Sequence, residues 1–419
     1  MKNKKIQTLK GFRDFLPEEK RKRDYVMSKI IQTFQLYGFE PVETPGLEYA
    51  DLLLGKYGDE ADKLVYNFQD RGGRQVALPY DQTVPTARVL AQYQGSLPKI
   101  FKRYSIKNVF RADKPQKGRF REFTQCDIDI FGTQNPTSDA EIIACTYDAI
   151  KNIGFDQVII KVNDRQVLLN TLKPYEIEGK VDVYSIIQSI DKLDKLPSEK
   201  VTQELVSKGL TQENAQQALK DIRSAIKSDN LQQIITTATQ LGTPQKAIQF
   251  EPTLARGLDY YTGIIFEIII PSYPVGSVGG GGRYDNLINQ LGGIDVPAVG
   301  LAFGFDRLVE AATQLDLIPS NNLGSQVLVI NPENNQINAY QTANKLRQAG
   351  ISTELYAEPA KLGKQFKYAN KKSISWVVVI AEEEIKQDKI TLKNMESGEQ
   401  QLTTINESIK IISQNWYWS

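Results

Sequence analysis

Residues 254–270, LARGLDYYTGIIFEIII, set Arg256, Asp259, Tyr260 and Tyr261 against one of the most apolar strands of the chain, whose single charge is Glu267. Buried charge is costly unless it is partnered, so a guanidinium, a carboxylate and two phenols at this place raise the question of a polar ligand. A second segment, VFRADKPQKGRFREFTQCDIDIFG (109–132), ends one predicted strand on Arg111 and begins the next with Arg119 and Arg121. The two-residue period of a strand puts Arg121, Phe123, Gln125, Asp127 and Asp129 on one face. A cation, a ring, an amide and carboxylates on one face suit a nucleotide site, with arginine on phosphates and an aromatic ring under a base. The same pattern is open to a solvated hairpin face laced by cross-strand ion pairs.

Three further segments carry weaker signals. Four consecutive glycines in VGGGGRYDNLI (278–288) could let backbone approach a phosphate or a base, although a flexible turn is the plainer expectation and the pattern lacks the GxxxxGK[ST] of a phosphate loop. In GLAFGFDRL (300–308), Leu301, Phe303 and Phe305 alternate like a strand, and Asp306 and Arg307 then open a helix. A carboxylate is favoured there, and Arg307 could reach an anion or simply pair at the surface. Lys361, Lys364, Lys367 and Lys371 are spaced for one helix face, either a phosphate-backbone stripe or a solvated one.

The bulk composition narrows the chemistry. The chain has 419 residues, 41% apolar content, 24% charge and a net charge of +1. That is ordinary for two or three soluble domains, and a polyanionic partner would have to be held by local clusters. There is no histidine, which excludes Ser-His-Asp and Cys-His catalysis and imidazole-ligated zinc. Chemistry must rest on Arg, Lys, carboxylates, phenols, backbone groups or a bound metal. Cys126 and Cys145 form neither a disulfide framework nor a zinc motif. The basic start MKNKKIQTLKGF is followed by no apolar secretion segment, and no run approaches the roughly 20 apolar residues that span a bilayer. A cytoplasmic address without membrane contact is the expectation.

These groups need elements to hold them. A helix is predicted over 18–38 with Gly38 as C-cap, then a short strand and a Pro-marked turn, and a strand, loop and helix in QVALPYDQTVPTARVLAQY. The two strands of the 101–131 hairpin are joined by a mobile basic tip, KPQKGR. A helix (138–154) and a strand (157–164) follow. From about 171 to 250 the texture turns helical and rich in Lys, Gln and Asp, which reads as an insertion. Strands return at 254–270. Beyond a linker at DLIPSNNLGS, short β-branched runs alternate with helical patterns, which predicts a small α/β domain.

Taken in order, these segments resemble class II aminoacyl-tRNA synthetases, and among them the histidyl-tRNA synthetase family. VETPGLE (42–48) is similar to the dimer-forming first motif, with Pro45 as its marker. VFRADKPQKGRFREFTQCDIDIFG is similar to the second motif and PAVGLAFGFDRL (297–308) to the third. ARGLDYYTGIIFE and GGGRYD are the histidine-specific segments. The resemblance spans nearly the whole chain. It implies an α+β fold of the α/β kind: an antiparallel-sheet catalytic domain (1–170 and 251–322), a helical insertion domain (171–250) and a C-terminal α/β anticodon-binding domain (326–419). It also implies ATP, Mg²⁺, L-histidine and tRNA(His) as cofactors and partners, and a homodimer.

The resemblance implies roles as well. Arg256 contacts the substrate carboxylate and the α-phosphate. Arg111 and Arg307 grip ATP phosphates, Arg121 assists at the α-phosphate and Phe123 stacks on adenine. Asp81, Thr83 and Gln125 hold the α-amino group. Tyr261, with Tyr260 beside it in the same segment, and Asp129 opposite read the imidazole. No protein metal ligands are implied. ALPYDQT carries Pro79 where many relatives carry Arg, and Gln82 where Leu or Gly is frequent, so the turn around Asp81 and Thr83 departs from the common pattern. Ala112 and Thr124 stand where some bacterial relatives carry histidine. A chain of this family without histidine could be translated when charged tRNA(His) runs out; composition bias or design would explain the absence equally well. The other reading of the resemblance is a non-catalytic paralogue, the regulatory subunit of ATP phosphoribosyltransferase.

Overall fold

A computed structural model describes residues 6–55, 64–114, 120–256, 261–319, 324–331, 336–358 and 360–414. The chain divides into two compact units. One holds Val26–Leu317 with the segment up to Asp14; the other holds Ile318 onward with Phe15–Tyr25.

The strands, in chain order, are β1 (Glu40–Pro41), β2 (Glu48–Tyr49), β3 (Asn67–Gln69), β4 (Gln75–Ala77), β5 (Phe101–Phe110), β6 (Glu122–Phe131), β7 (Ile159–Asp164), β8 (Ile248–Phe250), β9 (Ile264–Ile269), β10 (Gly279–Arg283), β11 (Ala298–Gly304), β12 (Val327–Ile330), β13 (Thr353–Leu355), β14 (Trp376–Val379), β15 (Ile390–Asn394) and β16 (Gln400–Thr403). The first unit is built on an eight-stranded sheet ordered β1-β5-β6-β11-β10-β9-β7-β8, antiparallel from β5 to β7 and parallel at its two edges. A three-stranded sheet, β2-β4-β3, accompanies it.

The glycine run is not a turn. Gly279–Gly282 lie inside β10 and pair with β9 on one side and β11 on the other. Bare backbone is required there: a Cβ on Gly281 would stand 2.1 Å from the Gly300 carbonyl oxygen, and one on Gly282 would stand 2.5 Å from that of Ile264. Ladder bonds on both sides supply what the missing side chains cannot.

One face of the sheet is apolar. Cys126, Ile128 and Ile130 of β6, Leu301 and Phe303 of β11, and Phe266 and Ile268 of β9 are all buried. Phe34 of the first helix (Pro17–Leu36) stacks there on Phe303, with ring centroids 6.2 Å apart. The helix Pro136–Ile153 is set by local chemistry at both ends. Asn135 Oδ1 accepts from the Thr137 N–H, Pro136 opens the helix, and Gly154 closes it at φ 116°, the arrangement expected of an N-cap and a left-handed C-terminal residue.

Between β7 and β8 run helices at Arg165–Leu172, Val183–Ile190, Ser198–Lys208, Gln212–Arg223 and Asp229–Gln240. The first four share one core, with Leu172, Ile186, Ile187, Leu205 and Ile222 fully buried. The helix Asp229–Gln240 instead packs on Pro136–Ile153, and β8 joins the edge of the large sheet beside β7. The helical texture therefore ends in elements that belong to the large sheet.

In the second unit a five-stranded sheet runs β13-β12-β14-β15-β16, parallel over the first three strands and antiparallel thereafter. The β-branched run Val327–Ile330 is buried on both faces. Val327 and Val329 meet Ala343, Leu346 and Ile412, whereas Leu328 and Ile330 meet Ala369 and Ile374. Helices cover both faces, as a parallel core demands. Lys361, Lys364, Lys367 and Lys371, along the helix Leu362–Lys371, are all exposed.

Candidate active site

The face of the large sheet opposite the apolar one is polar at its walls and bare at its centre. Strand pairing sets Arg103, Asp129, Gly300, Gly282, Ile265 and Asn163 in one row from β5 to β7. Two residues along, Ser105, Asp127, Ala302, Gly280, Glu267 and Lys161 form a second row. A third begins with Lys107, Gln125 and Gly304. Residues directly opposite on neighbouring strands project to the same side. Glycine and alanine thus leave a trough in the middle strands, with arginine and carboxylates on one wall and Glu267 on the other.

The nucleotide-like end lies where β5, β6 and β11 finish. Arg111, Phe123, Arg307, Asp113, Phe120 and Gly304 line a cavity of about 440 Å³ together with Leu64, Thr124 and Asp306. The Arg111 guanidinium sits 5.0 Å from the Phe123 ring centroid, and its Nε donates to the Tyr80 carbonyl at 3.0 Å. Arg307 Nη1 donates to the Ser277 carbonyl at 2.7 Å. Each cation is oriented by a neutral carbonyl, so its charge remains available to an anion. Arg121 stands beside this cavity rather than in its lining. Its Nε donates to the Asp113 carbonyl at 3.0 Å, and its N–H donates to the Gly11 carbonyl at 2.9 Å.

Arg13 also belongs here and was not identified from sequence. It pairs with Asp306 at 3.1 Å and lies 3.3 Å over the Phe120 ring. Its segment precedes every motif, so spacing gave no signal.

The amino-acid-like end is the Arg103–Asp129 row. Tyr284 donates its hydroxyl to Asp129 Oδ1. Arg103 Nη2 lies 2.6 Å from Asp129 Oδ2. No N–H among the described residues is aligned on that oxygen, so the contact holds by charge rather than as a linear hydrogen bond. Arg103 is 1% exposed and is the largest fully buried side chain among those described. The carboxylate leans over Gly300, where a Cβ would stand 1.8 Å from Asp129 Oδ1. Asp81 Oδ1 accepts from the Val84 N–H at 3.2 Å, at the start of the helix Thr83–Gln92, and so fixes the turn that carries Thr83. Gln82, buried beside it, donates from Nε2 to the Gln125 carbonyl at 3.1 Å. Lys107 donates to the carbonyls of Thr44 and Pro45, tying the VETPGLE turn to β5.

Burial governs the titration of this wall. It pushes the Asp127 carboxyl up to about 8, with Arg103 pulling down and Asp129 and Asp81 adding to the rise. Burial also raises Asp129, opposed by Arg103 and the Tyr284 hydroxyl, and raises Asp81, opposed by the Val84 N–H and Arg111. Tyr284 is raised well above the usual phenol range by burial and by Asp129. These shifts follow first from burial, with the Arg103 guanidinium opposing it at each carboxylate.

The RGLDYY segment reaches the trough from both ends. Arg256 Nη2 lies 2.5 Å from Glu267 Oε1 on the far wall. Tyr261 lies over the trough floor: a Cβ on Gly282 would come within 2.9 Å of its ring. Tyr260 lies outside the described residues, as does the 115–119 part of the basic hairpin tip.

Sequence reading set Tyr261 and Asp129 on opposite sides of an imidazole; the structure adds Tyr284, whose hydroxyl is bonded to Asp129. Parity with Gly280 and Gly282 was the available signal for Tyr284. Arg103 was missed because a single arginine in FKRYSI gives no pattern until the register sets it opposite Asp129. Arg283, next to Tyr284, is structural: it pairs with Asp139 at 2.6 Å and Asp285 at 2.9 Å, which anchors β10 to the start of Pro136–Ile153.

Comparison with known proteins follows the same division. A family model described as histidyl-tRNA synthetase matches residues 11–308, and one described as anticodon binding domain matches residues 326–415. A histidine–tRNA ligase of Wolinella succinogenes is 39% identical over 420 residues, covering 94% of this chain and 95% of that protein. A second, from Christiangramia forsetii, is 38% identical over 438 residues, covering 93% and 95%. A crystal structure of histidyl-tRNA synthetase from Nostoc sp. PCC 7120 matches at 30% identity with a TM-score of 0.87, covering 98% of this chain and 99% of that one.

Proposed function

The chain belongs to the histidyl-tRNA synthetase family, and from that premise we infer that it is a histidine–tRNA ligase. It is an enzyme that activates L-histidine with ATP and transfers it to the 3′ end of tRNA(His). In the first step a carboxylate oxygen of histidine bonds to the α-phosphorus while the bond to pyrophosphate breaks. In the second, a hydroxyl of the terminal adenosine attacks the activated carbonyl and AMP leaves. Both steps gather negative charge, so cations fixed in advance are the main catalytic requirement. The absence of histidine side chains is no obstacle, because no step needs an imidazole base from the protein.

The observation that most supports this reading is the single polar trough. It joins an arginine- and phenylalanine-lined cavity to a slot whose acid is pinned by a phenol and a guanidinium. We assign Arg111 and Arg307 to the ATP phosphates, Phe123 to adenine, Arg121 to the α-phosphate and Arg256 to the substrate carboxylate and α-phosphate. Asp81, Thr83 and Gln125 hold the α-amino group, and Asp129 with Tyr261 reads the imidazole; Tyr260 is assigned to the same pocket from sequence. Neutral imidazole presents one donor and one acceptor. A carboxylate and a phenol match that pattern, whereas an apolar slot could not reject isosteres. Mg²⁺ fits as a passenger on the triphosphate rather than in a protein cage, with Asp113 and Asp306 the carboxylates lining the cavity. When bound it would neutralise phosphate charge.

Domain roles follow: catalysis from 1–170 and 251–322, an insertion over 171–250 that returns to the catalytic sheet at its end, and anticodon binding from 326–419. A cytoplasmic homodimer is part of the same proposal. Exposed Tyr49 and Phe68 of the three-stranded sheet, with Leu47 just before it, offer apolar surface for pairing. No helix among the described residues is long and apolar enough to cross a membrane. The regulatory-subunit alternative is less favoured, because the match to the anticodon-binding family covers 326–415 and ligases align along nearly the full chain. ATP–pyrophosphate exchange separates the two. Exchange that requires L-histidine supports the ligase, and none would leave the non-catalytic reading.

A further inference from the structure

We propose that Asp127, held beside the buried guanidinium of Arg103, is a substrate-binding carboxylate that takes the α-ammonium group of histidine. This inference rests on the ligase reading and adds a residue to its amino-acid pocket. Asp127 is 4% exposed and projects into the trough from β6, between Gln125 and Asp129 on the same face. Among the described residues its Oδ1 has no hydrogen-bond donor, and neither do Gln125 Oε1 and Gln82 Oε1. Leaving buried acceptors unsatisfied costs free energy that a donor-rich ligand recovers. An ammonium group is such a ligand, with three donors and no acceptor.

Charge points the same way. Asp127 faces Arg103 from β5, Arg111 from just past its end, Asp129 from its own strand, Asp81 from the turn before Thr83–Gln92, and Glu267 from β9 across Gly280 and Ala302. Arg111 is turned toward the nucleotide cavity and Glu267 is paired with Arg256. Three carboxylates then share the guanidinium of Arg103, whose Nε and Nη1 have no aligned acceptor among the described residues. A water molecule could satisfy an oxygen but not the missing positive charge; an ammonium group does both. Burial holds a proton on Asp127 up to about pH 8. The arriving ammonium displaces that proton, because an opposite charge favours the ionised acid. Histidine affinity therefore rises with pH toward 8 while the ammonium stays protonated, and binding releases a proton.

Calorimetry on the full chain tests this with two ligands, L-histidine and 3-(imidazol-4-yl)propionate, which lacks the amino group. Asp127→Asn should weaken histidine about tenfold or more, the worth of a charged hydrogen bond, and leave the desamino analogue within about twofold, since it loses no such bond. Equal losses for both ligands would make Asp127 a structural residue and overturn the proposal. A measurement on the unmodified protein covers the case in which the variant does not fold. At pH 8, the midpoint of the Asp127 titration, measured in two buffers of different ionisation heat, histidine binding should release about half a proton more than binding of the analogue. Identical release for both, or none, also overturns it. If the unmodified chain binds neither ligand, the ligase reading falls with it. If it binds histidine and supports exchange but shows no Asp127–ammonium coupling, only this inference falls.

Discussion

Gly300→Ala puts one methyl group where the amino-acid slot has no room. The added Cβ would stand 1.8 Å from Asp129 Oδ1 and 2.8 Å from the Ile128 carbonyl oxygen, against 3.4 Å or more for an ordinary contact. The β6 backbone is locked in a central strand, so the carboxylate must move. Moving it breaks the bond from Tyr284 and opens the 2.6 Å contact with Arg103. The acceptor offered to the imidazole N–H is then misplaced. A hydrogen bond to a charged group is worth about 1.5–3 kcal/mol, which is roughly a 10- to 150-fold rise in KM for histidine. Steady-state pyrophosphate exchange at saturating ATP measures this. Gly304→Ala is the companion variant. Its Cβ meets nothing closer than the Val278 carbonyl oxygen at 3.4 Å, but it points into the nucleotide cavity. It should raise KM for ATP and leave KM for histidine unchanged. A folded Gly300→Ala protein with normal KM for histidine would refute the placement of the imidazole over this row.

Arg256→Ala removes the guanidinium assigned to the reacting phosphate and leaves Glu267 unpaired; exchange should fall by about 10²–10³-fold with tRNA affinity retained, and near-normal exchange would contradict the assignment. Replacing Lys361, Lys364 and Lys367 with Gln should weaken tRNA binding and flatten its salt dependence by about one unit of slope per lysine that touches phosphate; an unchanged slope would put the contact elsewhere. The stability of the ligand-free chain should fall between pH 6 and 8. The folded state keeps the Asp127 proton up to about 8, whereas the unfolded chain releases it near 3.9, so stability present at acid pH is lost as pH rises. With no histidine in the chain, few other groups titrate in that window. Thermal melts of Asp127→Asn should be flatter over that range, and parallel slopes would contradict the burial argument.

The sequence carried the elements well where period and punctuation agreed. Gly38, at φ 74°, and Gly154, at φ 116°, both lie just past the ends of helices, and the alternation in β6 put Phe123, Gln125, Asp127 and Asp129 on one face as read. It failed where a residue has meaning only through register. Four glycines look like a turn until strands on both sides supply the hydrogen bonds, and then they are the floor of a trough. Arg103 and Tyr284 look like ordinary strand residues until pairing places them on Asp129. Residues 229–250 are helical in texture like the insertion before them, yet the helix Asp229–Gln240 packs on Pro136–Ile153 and β8 joins the large sheet, through contacts that composition cannot encode. Arg13 acts on Phe120 and Asp306 from more than a hundred positions away in sequence.

Recognition and activation both depend on where histidine sits. A crystal structure of the chain with L-histidine and a non-hydrolysable ATP analogue tests that most directly. The imidazole should lie over Gly300, with one ring nitrogen on Asp129 and the other within reach of Tyr261, and the triphosphate between Arg111 and Arg307. Histidine bound away from the Arg103–Asp129 row, or a nucleotide outside the Phe123 cavity, would contradict the account.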